Sequence, residues 1–239
     1  MKHVQIFKRL NFSIIAALFI FVVLGACKKN TAPTMQSYNA AAKKYLALGD
    51  SYTIGQSVQA AERFPYQTNL LLSAQGVTIN TPDIIATTGW TTANLINALD
   101  ANAPAKDYDF VTLLIGVNNQ YQGKGIEEYK NEFTILLNRA IQYAGNNKMH
   151  VFVLSIPDYS VTPFAKNSDT AAIARQIDAF NLANKNITDQ FGVKYIDITP
   201  ISREAAADAA LIATDGLHPS GKQYKRWAEL LAPLIKNSL

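Results

Sequence analysis

The stretch Tyr45-Leu46-Ala47-Leu48-Gly49-Asp50-Ser51 is an apolar run that stops abruptly on a glycine, a carboxylate and a hydroxyl. An uncharged run of this length, bounded by turn residues, reads as a short buried strand that delivers Ser51 to a loop at its carboxyl end. In open parallel α/β sheets ligands bind outside that edge, so Ser51 is the first candidate nucleophile. Taken alone, Gly-Asp-Ser is ordinary turn chemistry, and only partners elsewhere in the chain give the serine a function.

Outward from this strand, strand and helix patterns alternate. Phe64-Pro65 opens a helical pattern through Leu70, Leu71 and Leu72 that stops at Gly76. The second strand is either Val77 to Ile79 or Asp83 to Ala86, and a helix beginning at Thr92 carries Leu95, Ile96 and Leu99. Phe110 to Ile115 is continuously apolar, apart from Thr112, as a strand covered on both faces should be, and it stops at Gly116-Val117-Asn118-Asn119. Apolar residues at helical spacing run from Glu127 to Ala144, Met149 to Ile156 is the fourth strand, and a long loop begins at Pro157. Asp169 to Phe191 is a helix ended by Gly192, followed by a fifth strand from Val193 to Asp197. A short helix over Ala205 to Ile212, a polar loop from Ala213 to Pro219 and an amphipathic helix from Ser220 to about Lys236 follow. Ser220 can cap that last helix. Alternating strands and helices without a repeat period imply a single three-layer α/β/α domain, a five-stranded parallel sheet in flavodoxin-like order.

A chain of 239 residues with 49% hydrophobic and 17% charged residues suits one globular domain with a sizeable core. At the amino terminus Lys2, Lys8 and Arg9 precede an uncharged apolar run from Ile14 to Leu24, then Gly25-Ala26-Cys27. This is the pattern of a signal peptide over 1–26, too short for a membrane span. The single cysteine after Leu24-Gly25-Ala26 resembles the lipobox of bacterial lipoproteins, which implies cleavage before Cys27 and acylation of its thiol. The small, polar residues 27–42 then read as a tether, and 43–239 as the domain. Acyl chains at Cys27 would hold the protein on a membrane in the cell envelope, with a periplasm-facing site expected. The three basic leader groups account for most of the formal net charge of +4, and no Lys/Arg stripe interleaved with aromatics marks a nucleic-acid face.

A serine nucleophile needs a base within reach and a group to orient that base. Of three histidines, His3 lies in the leader and His150 opens the fourth strand, at the edge opposite Ser51. His218, in the loop before the last helix, is left. Asp215 precedes it by three residues, close enough for both to project from one turn and for the carboxylate to hold the imidazole tautomer. Acyl transfer also needs donors aimed at the developing oxyanion. Gly89 and Asn118 each follow a predicted strand at the same sheet edge, one offering an unobstructed backbone N–H and the other a side-chain amide.

Gly49-Asp50-Ser51, Gly89, Gly116-Val117-Asn118 and Asp215-Gly216-Leu217-His218 together resemble the four ordered blocks of the SGNH (GDSL) hydrolase family. The resemblance runs from about Lys43 to Lys236. It implies a flavodoxin-like fold, Ser51 as nucleophile, His218 as base, Asp215 as its orienting acid, and Gly89 and Asn118 with the Ser51 N–H as oxyanion hole. No metal or cofactor is implied. Tyr52 stands where the family often has leucine, and Asn119 where an acid commonly follows the asparagine. Family members act on lysophospholipids, thioesters, short-chain esters and sugar acetyl groups, so the expected substrate is a small-molecule, glycan or lipid ester, met by a monomer. Carbohydrate O-acetyl esterase is the alternative within the family, and a non-catalytic glycan-binding lipoprotein the alternative outside it. Tyr52, Trp90, Tyr159 and Phe164 sit in loops where they could line a sugar platform, an acyl groove or the core.

Overall fold

The computed structural model describes residues 42–239. The expected leader 1–26, Cys27 and the tether, up to its last residue Ala42, lie outside the described residues. Ala42 is already buried, and Lys43 bridges to Ile79 ahead of the first strand.

Five parallel strands run in the order β2-β1-β3-β4-β5. The three central ones, β1 (Tyr45–Gly49), β3 (Phe110–Leu114) and β4 (Val151–Leu154), are buried at every position. This is why their sequences are apolar runs rather than alternations: helices cover both faces of the sheet. The polar exception, Thr112, has its hydroxyl partnered by the Tyr45 hydroxyl at 2.9 Å, as a buried polar group requires. The edge strands β2 (Asp83–Ala86) and β5 (Lys194–Ile196) are only partly covered.

Eight α-helices are described: α1 (Ser51–Ile54), α2 (Phe64–Ala74), α3 (Thr92–Ala101), α4 (Val117–Tyr121), α5 (Ile126–Tyr143), α6 (Thr170–Phe191), α7 (Thr199–Arg203) and α8 (Gly221–Lys236). Helices α3, α5 and α6 pack side by side, while α2 packs against α8. The α2–α8 seam is aromatic, with Phe64 against Tyr224 and Trp227. Trp227, Leu231 and Ile235 recur every four residues along α8 and are fully buried. Each contributes about 1.5–3 kcal/mol by leaving water, so this stripe, not helix propensity, holds the element in place. Ser220 caps it, its hydroxyl accepting the Gln223 N–H.

Several boundaries differ from the sequence reading for local reasons. The second strand is Asp83–Ala86, and Ile79 contributes only an isolated bridge. The expected helix over Ala205 to Ile212 is instead α7, placed earlier with Pro200 in its first turn, followed by two 3₁₀ turns, Glu204–Ala206 and Ala209–Leu211. Asp208 breaks the run by turning its carboxylate onto the Ala210 N–H. The fourth strand is shortened by a 3₁₀ turn, Lys148–His150, that Asn147 caps. His150 therefore precedes β4, where its Nε2 meets the Ser238 carbonyl oxygen, and it remains at the edge away from Ser51. The loop expected after Ser51 begins as the single-turn helix α1, because Asp50 caps it through the Tyr52 N–H at 3.0 Å.

Candidate active site

The carboxyl ends of β1 and β3 carry the first two pieces of the site. Ser51 is the first residue of α1, so its N–H has no intrahelical acceptor. A Cβ on Gly49 would lie 2.4 Å from the Leu114 carbonyl oxygen, so only glycine lets the chain turn there. After β3, Gly116 has φ 131°, and a Cβ would come within 2.6 Å of the Tyr129 ring. Glycine is thus dictated both by backbone and by space. It starts α4, on which Asn118 directs its amide at the Trp90 carbonyl (3.0 Å) and, less closely, at Asp50 Oδ2 (3.4 Å). Asn118 is thereby steered from two sides.

Gly89 comes from the turn Thr87–Trp90, closed by the Trp90 N–H on the Thr87 carbonyl at 3.2 Å. Its φ of 84° suits the third position of such a turn, and nothing stands where a Cβ would be. Its own carbonyl is held by the Gln122 side chain at 3.3 Å.

Asp215 and His218 do project from one turn. His218 Nδ1 lies 2.6 Å from Asp215 Oδ2, while Oδ1 accepts the backbone N–H groups of Leu217 and His218, each at 3.0 Å. The Ser57 hydroxyl adds a fourth bond, to Oδ2 at 2.7 Å. Partial burial pushes this carboxyl up, but the four donors outweigh it and hold Asp215 at about 2. It is an anion throughout the neutral range. With that anion on Nδ1, the proton sits on Nδ1 and Nε2 is left as the acceptor. The imidazole is buried and lies against the Tyr52 ring, centroids 5.3 Å apart.

Asp50 behaves in the opposite way. Full burial pushes its carboxyl up to about 7, against the opposing pull of the Tyr52 N–H and the Asn118 amide. Tyr52 itself is buried, and burial together with the surrounding carboxylates drives its phenol far up, so it stays protonated and is no rival base to His218.

Ser51, Gly89, Asn118 and His218 line one cleft. Asp215 supports it from behind. The rest of the lining is mostly apolar: Val117, Leu217, Tyr52, Tyr121, Tyr159 and Phe164, with Thr88 at the rim. Tyr121, Tyr159 and Phe164 form a mutual cluster with ring centroids 6.0–6.3 Å apart. Of the four loop aromatics singled out from sequence, Trp90 does not reach the cleft lining; its ring packs on the core and its carbonyl holds Asn118. Tyr121 went unnoticed, although it follows Asn118 by three residues and therefore shares its helix face. Ser57 carried no sequence signal at all.

Asn119, which stands in place of the acid common in the family, is buried and pinned to the start of α3. Its Oδ1 accepts the Thr92 N–H at 3.0 Å and its Nδ2 donates to the Thr92 hydroxyl at 2.6 Å. That hydroxyl in turn bonds Glu132. Asn119 thus anchors α4 to its neighbours without entering the cleft. Among the described residues no group of three or more His, Cys, Asp or Glu side chains is arranged to hold a metal ion.

A family model described as "GDSL-like Lipase/Acylhydrolase family" matches residues 47–226. The chain belongs to this family. As a member of the GDSL-like lipase/acylhydrolases it is an ester-bond hydrolase. No curated protein sequence matches it. Solved structures resemble it in fold: TesA at 17% identity and TM-score 0.63, covering 82% of this chain and 100% of that one. The psychrotrophic esterase EstA from Pseudoalteromonas sp. has 17% identity and TM-score 0.62, covering 82% and 97%. The acetylxylan esterase Axe2 from Geobacillus stearothermophilus has 20% identity and TM-score 0.61, covering 81% and 94%. At these identities the likeness speaks for the GDSL-type fold alone.

Proposed function

We propose that the protein hydrolyses carboxylic esters through an acyl-enzyme on Ser51. His218 Nε2 takes the Ser51 proton as Oγ attacks the ester carbonyl, and Asp215 stabilises the imidazolium that forms. The oxyanion is met by the N–H groups of Ser51 and Gly89 and by the Asn118 amide. His218 returns its proton to the leaving alcohol, and then acts as base for the water that releases the acid. The observation that carries this reading is the 2.6 Å Asp215–His218 contact behind a cleft that Ser51, Gly89 and Asn118 share.

The apolar lining favours an uncharged acyl or aryl ester over a charged headgroup, since none of the described residues that line the cleft is a lysine, arginine, aspartate or glutamate. A second reading, removal of acetyl groups from a glycan, draws on the exposed rings of Tyr121 and Phe164 at the mouth, which suit stacking on a sugar face; the structural neighbour Axe2 is named as an acetylxylan esterase. A fluorophosphonate probe should label the protein stoichiometrically and fail to label Ser51→Ala; a folded protein that resists the probe refutes the acyl-enzyme. A nitrophenyl ester series then separates the substrates, rates rising beyond acetyl for the apolar acyl reading and falling steeply for the deacetylase.

The same proposal includes export and anchoring through acylated Cys27, on the strength of the leader pattern. Cys27→Ala should leave esterase activity intact but move it from the membrane fraction to the soluble one. Retention with membranes refutes the lipobox.

A further inference from the structure

The loop leaving α1 touches two other parts of the site. Gly55 closes α1 in the left-handed conformation, as glycine readily does, but two residues later Ser57 adopts φ 66° without being a glycine. Non-glycine residues seldom occupy that region, and where one persists the surroundings hold it there. Here the side chain explains the conformation. Ser57 Oγ donates to Asp215 Oδ2 at 2.7 Å, across 158 residues of sequence. Its neighbour Gln56 accepts from the Thr88 hydroxyl at 2.7 Å, on the turn that presents Gly89. The same oxygen, Oδ2, also receives His218 Nδ1.

We propose that Ser57 is a positioning residue that orients Asp215 toward His218 and ties the nucleophile's helix to the loop carrying the base. This rests on the reading of Asp215 and His218 as acid and base. The geometry explains why a tie is useful. Oδ1 is held by two backbone N–H groups and Oδ2 by His218 Nδ1, all from the turn itself, so Ser57 supplies the one bond that comes from elsewhere in the described fold. The Ser57 hydroxyl adds a non-local hold on Oδ2, the oxygen that faces His218 Nδ1. Through it any movement of α1, and so of Ser51, is felt by the base.

The test separates this role from a plain structural one because the substitution that removes the hydroxyl also relieves the backbone. Ser57→Gly fits φ 66° better than serine, so its melting temperature should stay level or rise. Its kcat should nevertheless fall about tenfold with KM unchanged, as the loss of one hydrogen bond to a charged group acting through a second residue. Ser57→Ala also lacks the hydroxyl but gains none of glycine's backbone freedom, and should match it in kcat. Combined with Asp215→Asn, Ser57→Gly should cost little more, since the two act through one carboxylate. Wild-type kcat in Ser57→Gly overturns the proposal, as does a loss that Ser57→Ala does not share or that multiplies in full with Asp215→Asn. If Asp215→Asn alone retains activity, the underlying assignment of the acid is what fails.

Discussion

Replacing Asp215 by asparagine tests the site most sharply, because the four bonds on its carboxylate dictate how the amide must sit. With the amide oxygen left on the Leu217 and His218 N–H groups, the NH₂ faces His218 Nδ1. The imidazole must then accept at Nδ1 and carry its proton on Nε2, where it can no longer take the Ser51 proton. Flipping the amide restores the working tautomer but sets NH₂ against two backbone donors. The loss of two hydrogen bonds at about 1 kcal/mol each leaves the productive rotamer at a few per cent. The missing anion costs about 1.5–3 kcal/mol more in stabilising the imidazolium. Together these amount to about 3.5–5 kcal/mol, or roughly 4 × 10² to 5 × 10³ in kcat, with KM little changed. The assay is steady-state hydrolysis of a short nitrophenyl ester, normalised to folded protein by circular dichroism. A loss of less than tenfold, or one carried by KM, refutes the argument. Stability carries its own signature. The folded pKa is depressed, to about 2, so the Asp215 contribution is present above the unfolded value near 4 and lost as pH falls toward 2. Because the group is largely solvent-screened, that contribution is about 1 kcal/mol, and in Asp215→Asn this part of the acid destabilisation should be missing.

Asn118→Ala should lose about 10² to 10³ in kcat by removing an oxyanion donor while KM stays near wild type; an unchanged kcat places the oxyanion elsewhere. Asp50 carries the opposite pH sign: its folded pKa is raised to about 7 by burial, so stability falls as pH climbs from about 4 to 7 and levels off above. Asp50→Asn, an equally good cap, should therefore raise stability at pH 8 relative to wild type by about 2 kcal/mol and do much less at pH 4, as read by urea denaturation; an equal effect at both pH values refutes the burial argument. Gly116→Ala forces a Cβ to within 2.6 Å of the Tyr129 ring at φ 131° and should cost about 3 kcal/mol of stability, displacing Asn118 as well; a melting temperature within a degree of wild type counts against it.

Much of this molecule is written locally. Burial on both faces of a parallel sheet requires uninterrupted apolar strands, so Tyr45–Gly49 and Phe110–Leu114 could be read directly, and a chain with three histidines left His218 by elimination. Asp215 was legible because its contact with His218 spans only three residues. What local pattern does not carry is which distant loops meet. Whether Ile79 or Asp83–Ala86 forms the edge strand depends on pairing with β1, and one side chain's turn preference, that of Asp208, split an expected helix. The Tyr121–Tyr159–Phe164 wall and the Ser57–Asp215 bond exist only because the order β2-β1-β3-β4-β5 gathers the loops at one edge. Periodicity reports whether a residue is covered, since burial recurs with the geometry of its own element; what covers it is decided by how the elements close on one another.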